Sequence, residues 1–271
     1  MEKMLGERKY LDKGNVALLD VFGNDEEIIE AARVSYQKGT TPTSDTRTLL
    51  RYLVRHKHTS PLEMAEVKFY LKVPIFVARQ LIRHRTANVN ESSARYSILS
   101  DEFYVPELEQ MQPQSTTNKQ GRAAGEPIEY AENTRMLMTD CMSETMDLYG
   151  NILGNTELSR EIARIITPVS VYTTMYWKID LHNYFHFLNL RLDSHAQWEI
   201  RQMAQAMFDL TQPHFPIAHE AFQDYIQHAR TLSRGEQIYL ANRISGTNQD
   251  HGLSDRELKE FDLWYETILR K

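Results

Sequence analysis

From Gln80 to Ser97 the chain reads QLIRHRTANVNESSARYS, which brings Arg83, His84, Arg85 and Arg95 together with Asn88, Asn90, Glu91, Ser92 and Ser93. The formal net charge of the whole chain is -6, so these cations are concentrated against the general balance. Guanidinium forks pair bidentately with phosphate, and nearby hydroxyls and amides complete the coordination of an anion. The chemistry open to this run is capture of a phosphorylated ligand. The ordinary alternative is that Arg79, Arg83 and Arg85 form the solvated face of a surface helix.

The residues before the run explain how it could be held. Val67, Phe69, Leu71 and Val73 alternate with Glu66, Lys68, Tyr70 and Lys72, the pattern of a half-buried strand. Pro74 then fits the first helical position, where a missing N–H costs nothing. Ile75, Ala78 and Ile82 would mark the apolar face of that helix, with Gln80, Arg83 and His84 on another. At about 100° per residue Arg83 and Arg85 point roughly 200° apart, so the triplet either serves two partners or contains the helix end. Thr, Asn, Glu and Ser residues after Arg85 favour a loop that can wrap a ligand.

Two other constellations compete. His182 and His186, one turn apart, invite a metal, with Asp180, Asp193 or His195 as further ligands. The glutamate that follows the first histidine in a metalloprotease helix is replaced by Asn183, and no metal site is assigned. A metal-dependent hydrolase acting on a phosphorylated substrate through these histidines is the rival enzyme reading, and a nucleotide-binding regulator the non-enzymatic one. The sole cysteine, Cys141, shares a helical stripe with Met138, Met142, Leu148, Tyr149 and Ile152, and nothing cationic adjoins it to activate a thiolate.

The scaffold these residues need is an α+β fold, a central antiparallel or mixed sheet with helices packed around it. VALLDVF at Val16–Phe22 reads as a short buried strand; Asn24 and Glu27 then open a helix that Gly39 would stop. A second helix begins near Ser44 and Asp45, with Leu49, Leu50 and Leu53 inward, and runs out at His56–His58. Val169 to Ile179 alternates as a strand, Asp180 caps a helix carrying His182, His186 and Arg191, and a long helix covers DSHAQWEIRQMAQAMFDL. ELSREIARII would be one further helix. Residues 105–126 have almost no apolar anchors and read as a mobile surface insertion, whereas 231–271 reads as a helical extension of a single catalytic domain, 1–271.

A hydrophobic content of 41% and charged content of 25% are those of a globular protein. The charged start lacks an apolar core for a signal peptide, no run is long enough to span a membrane, and one cysteine fits a reducing, cytoplasmic setting. A pI near 5.9 argues against broad nucleic-acid binding.

Arg83-His84-Arg85, seven residues, then Ser93 resembles the RHR(x7)S signature of the flavin-dependent thymidylate synthases. The likeness extends through AARVSY, HKHTSPLE, PIFVARQLIRHR, NESSARYS, ARIITP and WKIDLHNYFHFLNLRLDSHAQWEIR, most of residues 11 to 230. It implies a homotetramer with active sites between subunits that methylates dUMP to dTMP. The carbon would come from 5,10-methylenetetrahydrofolate, with NADPH reducing a bound FAD. By resemblance Ser60, Arg83, His84, Arg85, Glu91, Asp180, His182 and His186 would meet the flavin, and His58 would border the flavin and folate entrance. Gln80, Arg83, Glu91, Ser92, Ser93, Ala94 and Arg95, with Arg164 and Arg191, match nucleotide-binding positions. Ala94 stands where a glycine is frequent. Arg191 would favour the uracil anion as electrons move toward C5, and Ser93 is read as a phosphate ligand, not a nucleophile.

Overall fold

The structure is a computed structural model that describes residues 4–34, 44–116 and 119–270. Two compact units are distinguished, Met1–Tyr225 and Ile226–Lys271.

In the first unit, five strands among the described residues form one sheet: β1 (Gly6–Tyr10), β2 (Gly14–Phe22), β3 (Glu66–Pro74), β4 (Asn88–Glu91) and β5 (Tyr172–Asp180). Their order is β1-β2-β3-β5-β4 and every pairing is antiparallel, which resolves the expected antiparallel or mixed sheet in favour of the former. The alternation expected in Val67–Val73 is realised in β3, with Val67, Phe69, Leu71 and Val73 buried. They share the inner face with Met175, Trp177 and Ile179 of β5, which lie directly across from Leu71, Phe69 and Val67. Aromatic packing carries this face outward: Trp177 meets Phe69 at 6.3 Å and Phe187 at 5.3 Å between ring centroids. On the opposite face Lys178 pairs with Glu66 at 2.6 Å, so the polar half of the alternation is also matched across strands.

Helices α1 (Asp25–Arg33) and α2 (Thr46–Arg55) begin where the sequence places their caps. Asn24 and Asp45 accept from the backbone N–H of Glu27 and Thr48. Gly39, the expected stop of α1, lies outside the described residues. The remaining helices of this unit are α3 (Ile75–Leu81), α4 (Ala131–Asn155), α5 (Arg160–Ala163), α6 (Leu181–Arg191), α7 (Trp198–Thr211) and α8 (Pro216–Phe222). Asp180 caps α6 through the N–H of Asn183. Histidine 219, wholly buried in α8, is neutral: its Nδ1–H donates to Phe215 O, and Nε2 accepts from Thr211, which in turn accepts from Tyr184.

Several expectations change. Pro74 ends β3 as the N-cap of α3, with ψ of 143°, and the helix starts at Ile75. Residues 88–91 are a strand, not a loop, because β5 offers a free edge with which their backbone can pair. Strand β5 begins at Tyr172, and Val169 is exposed. The ELSREIARII stretch forms only the four-residue α5, continued by a 3-10 turn over Arg164–Ile166. The helix expected from Asp193 starts at Trp198. Cys141 is exposed: α4 buries Ala131, Met142, Met146 and Tyr149, so the wet side of the helix begins one residue before Met142.

Residues 105–126 are tied to the core by charge where apolar anchors are few. Arg122 donates to both carboxylate oxygens of buried Glu199 at 2.6 Å, and Glu199 also accepts from Tyr104 at 3.1 Å. An isolated bridge joins Gln114 to Arg122.

The second unit contains α9 (Arg234–Ser245) and α10 (Asp255–Leu269), each opened by a capping box, Ser233 with Glu236 and Ser254 with Glu257. Its centre is Phe261, fully buried among Tyr239, Trp264 and Tyr265. Arg230 lies 4.8 Å over the Trp264 ring.

Candidate active site

The end of α3 settles what the Arg-rich run can do. The last helical residue is Leu81, and Arg83 and His84 follow in tight turns closed on Gln80 O and Leu81 O. The triplet therefore leaves the helix, and its side chains separate. His84 turns inward and is buried, with its ring 5.0 Å from Phe187 and 6.1 Å from His186. Arg83 and Arg85 stay exposed.

Two clusters form around α3. In the first, Arg79, Glu91, Ser92, Ser93, Ala94 and Arg164 line a cavity of about 500 Å³. Thr173 supports it from β5, donating to Glu91 Oε1 at 2.8 Å. Because that hydroxyl proton is used, the 3.2 Å contact between Ser92 and Thr173 is a donation from Ser92. This chain of hydroxyls fixes the Glu91 carboxylate and both β4-end side chains to the sheet. Ser93 Oγ accepts from the Arg95 N–H at 3.3 Å. Arg95 itself turns to Glu161, 3.1 Å away, outside this cavity.

In the second cluster Arg191, the last residue of α6, donates its Nε–H to His84 Nε2 at 3.1 Å, and a second N–H points at Gln80 O, 3.5 Å away. An acceptor at Nε2 requires a neutral imidazole with its proton on Nδ1. Burial, then the Arg191 charge and then His186, pull the His84 pKa down to about 4, consistent with that tautomer. Burial also lowers the Arg191 pKa, although a guanidinium remains charged at neutral pH. With two of five donors engaged, Arg191 keeps three N–H groups for a ligand. Gln80 Nε2 donates to Gln197 Oε1 at 2.5 Å, so Gln80 belongs here and not to the first cavity.

The other anticipated residues fall around these clusters. His58 is exposed after Lys57, whose φ of 58° turns the chain, and its ring meets Tyr52 edge-on at 5.8 Å. Ser60 is exposed in the following turn. Asp180 spends both carboxylate oxygens on Asn183. His182 is half-buried and His186 exposed, and no group of three or more His, Cys, Asp or Glu among the described residues is arranged to hold a metal. Arg83, Arg85 and Arg164, like Arg79, have guanidinium groups without a hydrogen-bonding or ionic partner among the described residues, whereas Arg47, Arg51, Arg122 and Arg243 are all ion-paired.

Sequence reasoning missed Thr173 and Gln197. Thr173 had a signal: it is the polar member of an otherwise apolar inward series on β5. Gln197 had none, because its contact with Gln80 joins residues 117 apart in the chain.

Residues 17–217 match the family described as "Thymidylate synthase complementing protein". The chain belongs to that family, the flavin-dependent thymidylate synthases. Among curated relatives, the flavin-dependent thymidylate synthase of Ehrlichia ruminantium (strain Gardel) is 45% identical over 260 residues, covering 94% of this chain and 86% of the relative. That of Dictyostelium discoideum is 48% identical over 267 residues, covering 94% and 85%. Among solved structures, a UMP/dUMP methylase, PolB from Streptomyces cacaoi bound with 5-Br UMP, superposes with a TM-score of 0.72 at 33% identity, covering 82% of this chain and 98% of PolB. The family's sheet and helices are thus shared well beyond the signature.

Proposed function

We propose that this protein is a flavin-dependent thymidylate synthase: it methylates dUMP to dTMP, taking the carbon from 5,10-methylenetetrahydrofolate and using NADPH to reduce a bound FAD. The observation that carries the reading is the cavity in which Arg79, Arg164, Ser92 and Ser93 face one space while neither guanidinium has a partner among the described residues. Unpaired cations beside hydroxyls await an anion, and a nucleotide phosphate supplies one. The names of the relatives, and the 5-Br UMP in PolB, point to a uracil nucleotide.

Substrate would be held by Gln80, Arg83, Glu91, Ser92, Ser93, Ala94, Arg95, Arg164 and Arg191. Of these, Glu91, Ser92, Ser93, Ala94 and Arg164 share one cavity, and Gln80 and Arg191 share the second cluster. The two sets form separate clusters of one chain, and on this reading a second copy completes the site within a homotetramer. Exposed Met136, Leu137 and Leu148 on α4 offer apolar surface for that association.

The residues present fit FAD. Arg83 and Arg85, exposed and without a side-chain partner among the described residues, can balance a pyrophosphate; His58 and Ser60 lie before β3, Glu91 ends β4, Asp180 caps α6, and His182 and His186 are on that helix, His186 6.1 Å from the His84 ring. Bound flavin supplies the reducing electrons, which removes the need for a thiol nucleophile. Arg191 then acts as a fixed donor: its free N–H groups stabilise negative charge developing on the pyrimidine, and neutral His84 keeps the fork in place. Ser93 binds; no side-chain base is bonded to it.

Purified protein given FAD, NADPH, methylenetetrahydrofolate and dUMP is expected to form dTMP, in chelator as well as without it. A preparation that takes up no FAD, or that oxidises NADPH and forms no dTMP, would overturn the assignment.

A further inference from the structure

Arg79 is the one guanidinium of the first cavity to which neither the signature nor the family likeness gives a part. We propose that Arg79 is a second cationic ligand of the substrate's phosphate, working with Arg164, a role that rests on the nucleotide reading above. It sits in the last turn of α3, exposed, its guanidinium making no hydrogen bond or ion pair to any described residue.

The charge balance of the cavity motivates the assignment. A phosphate monoester is close to a dianion at neutral pH, because its second pKa is about 6. Within the cavity wall Arg164 is the only other cation and Glu91 the only carboxylate. Within this wall the charges of Arg164 and Glu91 cancel, and Arg79 tips it to net positive. Arg95, which is also read as a substrate ligand, pairs with Glu161 at 3.1 Å and is not part of this wall.

Position on the helix sets the division of labour. Neighbouring helical residues project about 100° apart. Gln80 is drawn to Gln197 and Arg191, in the other cluster, and Arg79 is thereby presented to the cavity of Ser92 and Ser93. One turn of α3 thus serves both half-sites. An aliphatic residue at 79 would preserve the helix and lose the second cation.

The test is calorimetric titration of dUMP and of phosphate-free deoxyuridine into the full-length, FAD-loaded protein and its Arg79→Gln and Arg79→Lys variants. For Arg79→Gln the Kd for dUMP is expected to rise about tenfold, the size of one charge-assisted contact, while deoxyuridine binding stays within twofold. Arg79→Lys keeps the charge without the fork and is expected to recover most of the loss. Unchanged dUMP binding overturns the proposal, as does an equal loss for both ligands. A change of oligomeric state in Arg79→Gln, read by light scattering, also overturns it, since Arg79 would then be an interface residue. Wild-type protein that forms no dTMP would refute the functional assignment separately from these binding results.

Discussion

His84→Phe isolates the contact that holds Arg191. His84 is buried, meets Phe187 edge to face at 5.0 Å, and accepts the Arg191 Nε–H at 3.1 Å. A phenyl ring keeps the volume and the aromatic packing and deletes the lone pair. Hydrogen bonds to charged groups contribute about 1.5–3 kcal/mol. If that energy aligns Arg191 on the reacting pyrimidine, its loss lowers kcat/KM for dTMP formation by roughly 10- to 150-fold. The assay is steady-state turnover at saturating FAD, with FAD affinity measured alongside because His84 is also placed at the flavin. A double-mutant cycle with Arg191→Ala decides the route: His84→Phe should cost nothing further once the guanidinium is gone. A loss below threefold, or an undiminished loss in the Arg191→Ala background, would refute the coupling. The pH dependence has a defined sign. With a pKa of about 4, His84 is the required neutral acceptor throughout the neutral range and loses that ability only as pH falls toward 4, so no activity limb near 6.5 should belong to it.

Thr173→Val removes the hydroxyl that ties Glu91 and Ser92 to β5; the KM for dUMP should rise about fivefold, on the scale of one neutral hydrogen bond, and an unchanged KM would remove Thr173 from the site. Arg122→Met leaves the Glu199 carboxylate buried with only Tyr104 to donate to it, and urea unfolding should show a loss of about 3–5 kcal/mol. His219 is pulled down to about 4 by burial. Its unfolded form binds protons from about 6.5 downward, so its stabilisation is complete above that pH and is lost as pH falls toward 4, by about 2 kcal/mol at pH 5. His219→Gln should flatten that part of the unfolding pH profile, and an unaltered slope would show that protonation occurs elsewhere.

Elements with a strong local period or cap are legible in the amino acids alone. β3 follows from the alternation of Val67, Phe69, Leu71 and Val73 with polar residues, α2 and α6 from Asp45 and Asp180, and α10 from Ser254 with Glu257. The order Arg83-His84-Arg85 to Ser93 likewise marked the ligand-binding stretch. Tertiary structure decided what depends on partners distant in the chain. Residues 88–91 carry no clear strand period, and all four are exposed, but the free edge of β5 supplies backbone partners that turn them into β4. Cys141 has apolar neighbours in sequence, yet the core side of α4 is set by Met142, Met146 and Tyr149 packing beneath Phe103 and Val171. Among the arginines of one charged stretch, only three-dimensional pairing separates Arg95, paired with Glu161, from Arg79, Arg83 and Arg85, which have no such partner among the described residues. Caps and periods act over one or two turns and can be read locally. Burial and ion pairing are settled by the surfaces that long-range folding brings together.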